Sequence, residues 1–435
     1  MKSVLIIGAG LSGLTAAIAL KKRGCSVTIL EASNAPGGVA KTMVKEGFRC
    51  ELGPNTFLAS QPTTANFLKE NGLWDQAIDA APQAKNRFVV KNGKLIPLPL
   101  NPFSLLTTSL LSGLGKRQLF RGFFSSKPIN PQEAIADFFC REFGKEVFQE
   151  MVDPFISGIW AGDASQLILL HTFPKLYHLK KESKILASAF LKKKKNNFKR
   201  RLISWPEGLG YLSQKLASDQ TIHYQTQALS VIPKNNQFHI ETNHQTFTSD
   251  SLILATSLMP VVELLSSSIP QAKDLAGMPQ ASLNVLHLGF PREAIQHPLN
   301  GFGLLISRER GIRTLGALFS STLFPHRAPV GQVLLTVFLG GIQDPKAITL
   351  SDEALLTQVQ KDLAPLLGIT QKPIFYHITR WPQAIPQYGR DHDSFLQTCQ
   401  KIERQIPGLH LLGNYRGGIS LENVILNALN LSENI

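Results

Sequence analysis

The run Val4-Leu5-Ile6-Ile7 passes without a break into Gly8-Ala9-Gly10-Leu11-Ser12-Gly13, and no other feature restricts the fold of this chain as tightly. A short all-apolar run suits a buried parallel strand, which is covered on both faces. Leu14 to Lys22 reads as a helix that Gly24 ends, and Ser26-Val27-Thr28-Ile29-Leu30 as a second strand that stops at Glu31. In a G-x-G-x-x-G turn between strand and helix, the first glycine permits the tight turn. The second lets a pyrophosphate approach the backbone, and the third lets helix and strand pack closely. Glu31 falls 23 residues after Gly8, where such a unit places the carboxylate that takes the ribose hydroxyls of an adenosine. The chain is therefore expected to open with a dinucleotide-binding unit.

With 435 residues the chain has room for two domains or more, and at 43% hydrophobic and 17% charged it is too apolar for disorder. Cys25, Cys50, Cys140 and Cys399 share no CxxC spacing. No disulfide framework and no metal site is expected, and a reducing cytoplasm fits. Met1-Lys2-Ser3 leads straight into the first strand, so no signal peptide is expected. The uncharged stretch from Leu95 to Gly115 includes Pro97, Pro99 and Pro102, which disfavours a spanning helix and leaves a surface-lying element.

Further along, Phe88-Val89-Val90, the Asn92-Gly93 turn and Leu95-Ile96 read as a hairpin. From Pro99 to about Leu202 the pattern is mostly helical, with an interruption expected near Pro154 to Gly162. Gln237 to Thr248 alternates as a hairpin, and Ser251 to Thr256 is a buried strand of the first unit's type. Ser282–Leu288, Leu304–Ser307, Thr314–Phe319 and Val333–Leu339 are strand-like and suit a separate mixed sheet. A last strand, His410 to Leu412, enters Gly413-Asn414-Tyr415-Arg416-Gly417-Gly418-Ile419-Ser420 and a final helix, whose free N–H groups offer an anion or carbonyl site. Gly208-Leu209-Gly210 and Gly301-Phe302-Gly303 lack the third glycine, so no second dinucleotide site for a nicotinamide cofactor is expected.

Pro36-Gly37-Gly38-Val39-Ala40-Lys41-Thr42 and Glu51-Leu52-Gly53-Pro54-Asn55-Thr56 follow the first acid. Here the chain resembles the flavin-containing amine oxidase superfamily, with a double glycine past the acid and a Gly-Pro turn against the flavin. Val39 stands where that family has Arg, so a guanidinium contact to the pyrophosphate is absent or supplied elsewhere. Within the superfamily, Asp153 to Asp163, Leu299 to Leu305, Thr314 to Ser321, Phe324 to Pro329 and Thr336 to Gly341 resemble the protoporphyrinogen oxidase family in order and spacing. Gln387 to His392 departs from its usual Gly-His pair.

The resemblance implies an α/β architecture: a Rossmann-type FAD-binding domain (1–85, 203–265 and 395–435), a mixed-sheet substrate domain (86–98 and 266–394) and a mostly helical membrane-associated insertion (99–202). It implies FAD held by Gly8, Ala9, Gly10, Leu11, Ser12, Gly13, Glu31, Ala32, Gly38, Val39, Gly53, Pro54, Asn55, Thr56, Val231, Trp381, Gly413, Gly418, Ile419 and Ser420. Protoporphyrinogen IX is implied as substrate, with Arg87 pairing a propionate, Leu305, Leu318 and Phe338 against the pyrrole rings, and Gly158 beside them. From the residues alone, the three apolar side chains are equally readable as strand core. The implied chemistry is hydride transfer from a meso carbon to flavin N5, with molecular oxygen as final acceptor. No side-chain acid or base is nominated; His171 and His287 qualify by type only.

The alternatives are a coproporphyrinogen III oxidase of the same family, for which Arg308, Arg310, Arg313 and Arg327 are candidate cations, and a non-catalytic binder on the same fold. The net charge of +14 admits a nucleic-acid partner, but eleven cations lie between Lys175 and Arg201, including Lys184 and Lys192 to Lys195, against the one acid Glu182. Together with the apolar residues Leu105-Leu106, Leu110-Leu111, Phe120, Phe123 and Phe124, that run points to a peripheral contact with an anionic membrane on the cytoplasmic side, without a transmembrane helix and without nucleic acid. A homodimer is a possible assembly.

Overall fold

The computed structural model describes residues 1–99, 101–183, 185–186 and 198–435. Ser3–Ile7 lies between Ser26–Leu30 and Ser251–Leu254, parallel to both. Ile222–His223 and Leu409–Leu411 complete a five-stranded parallel sheet at its two edges. Val4 to Ile7 and Leu252 to Leu254 are buried throughout, as strands covered on both faces must be. The first helix, Leu11–Lys22, packs against the last, Leu421–Ser432. Ser420 caps the latter, its Oγ accepting from the Asn423 N–H. The alternating segment after residue 227 forms a small antiparallel sheet of Ala228–Lys234, Gln237–Thr242 and Thr246–Ser249.

The second large sheet has seven strands in the order Phe375–Pro386, Gln280–Pro291, Gln332–Gly340, Thr314–Phe319, Gly303–Leu305, Arg87–Lys91 and Lys94–Pro97. All neighbours are antiparallel except Gly303–Leu305 with Arg87–Lys91. The Arg87–Pro97 hairpin turns at Asn92 and Gly93, whose φ of 51° and 71° suit a two-residue hairpin loop. One face of the sheet, with Phe88, Leu304, Phe319, Leu335 and Leu286, is sealed by Leu355, Val359, Leu363 and Leu367 of the helix Asp352–Leu367. The other face is left to form a site.

The segment between these sheets is helical, as the sequence pattern predicts, and the interruption expected near Pro154 to Gly162 falls at the end of that span and not at the proline. Asp153–Trp160 is a helix that continues a π-helical turn at Phe148–Val152. Pro154 lies where the π-helical turn passes into the α-helix, a place where the regular hydrogen-bond ladder is already shifted. The break comes one step later, at Ala161, which takes the left-handed conformation (φ 46°). The basic run is also less uniform than its composition implies. Lys180 is buried and pairs with Glu142 at 3.0 Å, and Arg201 pairs with Asp79 and lies over Trp74. Lys184 and Lys192 to Lys195 fall outside the described residues. Among the described residues, no helix is long and apolar enough to cross a membrane.

A buried ion pair joins the hairpin Thr42–Lys45 and Phe48–Glu51 to the segment between two strands of the seven-stranded sheet. Glu51 and Arg327 meet at 2.8 Å with almost no side-chain exposure. The Glu51 carboxylate also accepts from Thr42 Oγ1 (2.6 Å) and the Leu209 N–H (2.8 Å). Arg327 also donates to Ser204 Oγ (2.9 Å) and the Asn55 carbonyl (3.3 Å). Removing one member of such a pair strands the other charge away from water. Glu51→Ala should therefore cost about 3–5 kcal/mol of stability, read from urea unfolding. A loss below about 1 kcal/mol, the range of an exposed pair, would contradict this account.

Candidate functional site

The three glycines of the first turn have different jobs. Gly8 has φ +108°, and an added Cβ would lie 2.7 Å from the Ala255 carbonyl oxygen; a Cβ on Gly13 would collide with the Gly8 carbonyl. Both are demanded by the protein's own backbone. Gly10 is not: its φ is −73°, and an added Cβ would meet no protein atom within 4 Å. A glycine that neither backbone nor packing requires keeps space for something other than protein. The helix that starts at Leu11 has no side-chain cap and no acid in its first turn, so its N–H groups and partial positive charge stay available to an anion. Leu11, Ser12 and Gly13 supply that turn.

Glu31 ends the second strand half-buried. Its Oε2 accepts from the Ala9 N–H at 2.8 Å and its Oε1 from Ser33 N–H and Oγ, which leaves Oε2 a free lone pair toward a ribose hydroxyl. Ala32, Gly38 and Val39 are exposed beside it, Val39 by 46%. Arg49 and Arg327, which flank the following hairpin, are committed to the His326 carbonyl and to Glu51, so neither replaces the arginine missing at Val39. Gly53 packs on the Val39 carbonyl, and Trp381 donates its indole N–H to Leu52 just before the Gly53-Pro54 turn (2.8 Å). In that turn Asn55 is buried with its Oδ1 unpartnered, while Thr56 stays half-buried. The free helix end, the open space at Gly10 and the orphaned Asn55 oxygen fit a bound FAD. Val231 is different: its side chain is core, so only its backbone is available, and its carbonyl already accepts from Ser268 Oγ.

At the far edge of the parallel sheet, Leu409–Leu411 delivers the turn Gly413 to Ser420 to the same region. Gly418 takes φ +111° and Ile419 is half-buried. Tyr388, which the sequence reading passed over, holds this turn. Its hydroxyl donates to the Asn414 carbonyl (2.6 Å) and accepts from the Gly418 N–H (3.1 Å). Where the family's Gly-His pair is altered, His392 is nevertheless buried, stacked on Tyr388 at 4.0 Å.

The expected substrate residues sit on one face of the seven-stranded sheet. Register pairs Arg87 with Gly303, Gly303 with Leu318 and Leu318 with Thr336. Two residues along, it pairs Leu305 with Gly316 and Gly316 with Phe338. Cross-strand partners point the same way, so Arg87, Leu305, Leu318 and Phe338 share the face away from the Asp352–Leu367 helix. Within otherwise buried strands, Leu305, Leu318 and Phe338 are the apolar residues left half-exposed. Fully buried core residues would not show that pattern. Gly158 of the Asp153–Trp160 helix lies against Leu305, and a Cβ there would collide with its Cδ2.

Arg87 lies over the Phe302 ring at 4.7 Å, and partial burial lowers its guanidinium below its ordinary value. Among the described residues it has no carboxylate partner. The other cation of this face, Lys91, sits between Glu146 (3.6 Å) and Glu150 (3.7 Å). Arg310, Arg313 and Arg327 are ion-paired with Glu150, Asp344 and Glu51, and Arg308 donates to the Gly340 and Arg313 carbonyls. Of the two histidines considered by type, His171 faces Asp393 at 3.0 Å and His287 is fully buried with Nδ1 3.1 Å from Thr336 Oγ1.

The sequence profile of the flavin containing amine oxidoreductase family matches residues 11–435. The chain is 32% identical over 462 residues to protoporphyrinogen oxidase 2, chloroplastic/mitochondrial, of Arabidopsis thaliana, covering 97% of this chain and 91% of the relative. It is 26% identical to coproporphyrinogen III oxidase of Bacillus subtilis, covering 98% and 96%. A solved structure from an Exiguobacterium species superposes with a TM-score of 0.85 at 23% identity, covering 100% of this chain and 98% of that one, which shows the shared fold.

Burial pushes both His287 and His392 down to about 3 from the ordinary imidazole value of 6.5, with a neighbouring histidine adding to each shift. Below pH 6.5 the unfolded chain takes up these protons and the folded chain does not, so stability falls as pH falls toward 3. The expected slope is about 1.4 kcal/mol per pH unit for each histidine. Urea unfolding at a series of pH values measures it. His392→Phe should flatten the slope, and a stability that stays constant between pH 6.5 and 5 would contradict the assignment.

Proposed function

Because the chain belongs to the flavin-containing amine oxidoreductase family, we propose that it oxidises protoporphyrinogen IX to protoporphyrin IX with FAD as its cofactor and molecular oxygen as final acceptor. Bound FAD supplies the two-electron chemistry; the chain's residues bind, orient and shield. In this reading 1–85, 203–265 and 395–435 hold the cofactor, 86–98 and 266–394 hold the substrate, and 99–202 meets the membrane. Leu305, Leu318 and Phe338 offer apolar faces to a largely apolar macrocycle, and Arg87 takes a propionate through two N–H donors.

The observation that carries the substrate choice is the charge accounting around the open face. Among the described residues Arg87 has no carboxylate partner, Arg310, Arg313 and Arg327 are each neutralised by an internal carboxylate, and the Arg308 donors are taken by the Gly340 and Arg313 carbonyls. One arginine with uncommitted donors suits a substrate with two propionates better than one with four. The coproporphyrinogen III reading remains the second one, supported by the name of the Bacillus subtilis relative. The flavin of the purified protein should bleach anaerobically on addition of protoporphyrinogen IX, and more slowly with coproporphyrinogen III; the reverse order would favour the second reading. Arg87→Ala should raise KM for protoporphyrinogen by about 10- to 100-fold, the loss of one charge-assisted contact, with the flavin spectrum unchanged. An unaltered KM and kcat would remove the propionate role.

For the membrane, the helices Pro102–Thr107 and Gly113–Phe123 expose Phe103, Leu106, Leu114 and Phe120, followed by Phe124. Gly115, Leu119 and Gly122 turn inward, and Arg117 and Arg121 share the outer surface with Leu114 and Phe120. Apolar anchors beside cations are the pair of signals that together give stable attachment to anionic lipid. On this reading the protein lies peripherally on the cytoplasmic face of an anionic membrane. Sedimentation with phosphatidylserine-containing vesicles should show salt-sensitive binding, weakened by Phe103→Ser with Phe120→Ser and by neutralising Lys192 to Lys195. Equal binding to neutral vesicles would argue against the electrostatic part.

A further inference from the structure

We infer that Tyr388 is a positioning residue that fixes the glycine-rich turn Gly413 to Gly418 at the cofactor. The inference rests on the reading that this turn faces FAD. The middle of the turn has its own anchors: Arg416 pairs with Glu403 (2.9 Å), and Asn427 Nδ2 donates to the Arg416 carbonyl (3.0 Å). Its two ends depend on one oxygen. Tyr388 Oη donates to the Asn414 carbonyl at 2.6 Å and accepts from the Gly418 N–H at 3.1 Å, so a single phenol spans the turn with both of its hydrogen-bonding capacities. Gly417 and Gly418 have φ of +75° and +111°, and the Asn427 and Asn423 side chains lie so close to them that no Cβ would fit.

The phenol itself has little freedom. Its ring stacks on His392 (4.0 Å, 15°) and meets the Trp160 ring edge-on (5.2 Å, 67°). Its backbone carbonyl accepts from the Ile168 N–H (2.9 Å), and the residue is 1% exposed. Burial raises the hydroxyl's pKa well above its ordinary value of 10, so the proton donated to Asn414 is retained at physiological pH. For packing against His392 and Trp160 a phenylalanine would serve equally. The hydroxyl has no other partner in the described structure, so holding the turn is what distinguishes tyrosine here. Trp160 and Ile168 belong to the helical insertion and Asn414 and Gly418 to the parallel-sheet side, so the turn takes its position from both.

Tyr388→Phe tests this, because it keeps the ring and removes both bonds. In the FAD-loaded chain, amide exchange across 413–418 should accelerate about tenfold, and FAD should dissociate about tenfold more readily, as loss of one to two buried hydrogen bonds implies. The visible flavin band should also shift, a change that a general loss of stability would not produce. A folded variant with unchanged exchange, FAD affinity and spectrum would overturn the role of Tyr388. A wild-type chain that takes up no FAD would instead sink the flavin reading itself. Should Tyr388→Phe not fold, exchange in the FAD-loaded wild type decides: a Gly418 amide as fast as that of exposed Gly417 would overturn the proposal, and slow exchange supports it.

Discussion

The buried pair Glu51–Arg327 is the contact on which the geometry of the site depends. Glu51 ends a hairpin strand immediately before the Gly53-Pro54-Asn55 turn, and Arg327 belongs to the segment between two strands of the seven-stranded sheet. Two charges away from water at 2.8 Å tolerate little displacement, because each loses solvation that its partner and a few fixed hydrogen bonds replace. Arg327 also donates to Asn55 and Ser204, and Glu51 also accepts from Thr42 and Leu209. The Gly53-Pro54-Asn55 turn and the seven-stranded sheet are therefore tied at one point. That pair is better understood as a fix on relative position than as a source of net stability.

A division of labour within the seven-stranded sheet follows from strand periodicity. Successive residues point to opposite faces. In Thr314–Phe319, Ala317 and Phe319 go to the core under the Asp352–Leu367 helix and Leu318 goes to the other side. In Gln332–Gly340, Val337 and Leu339 do the former and Phe338 the latter. One strand thus builds the core and the site at once, with no residue serving both. The same economy governs charge. Arg310, Arg313 and Arg327 are neutralised at Glu150, Asp344 and Glu51, and Arg308 spends its donors on backbone carbonyls, so among the described arginines of this region Arg87 is the one whose donors are left over.

Much of this was legible in the residues. The strand, glycine turn, helix, strand and terminal acid of the first 31 positions match the structure because each depends on neighbours within a few residues. The hairpin at Asn92-Gly93 is of the same kind. The interruption expected near Pro154 to Gly162 comes at Ala161 and not at the proline, which lies where a π-helical turn passes into the α-helix. Within the basic run, the pairing of Lys180 was hidden for a non-local reason, since nothing near it in sequence announces Glu142.

By itself the sequence determined the dinucleotide unit and the alternation of buried strands, because spacing along one chain sets which side chains share a surface; the residues expected at the open face came from the family resemblance, since their spacing reads equally well as strand core. Only the tertiary structure decided which cations remain free, that Gly10 is left open for something other than protein, and that Tyr388 spans the turn from Asn414 to Gly418. Each of those is a statement about partners 26 to more than 270 positions apart, as Tyr388 and Asn414 or Glu51 and Arg327 are. Ion pairing and burial are set by distance in space, and no local pattern of residues encodes it.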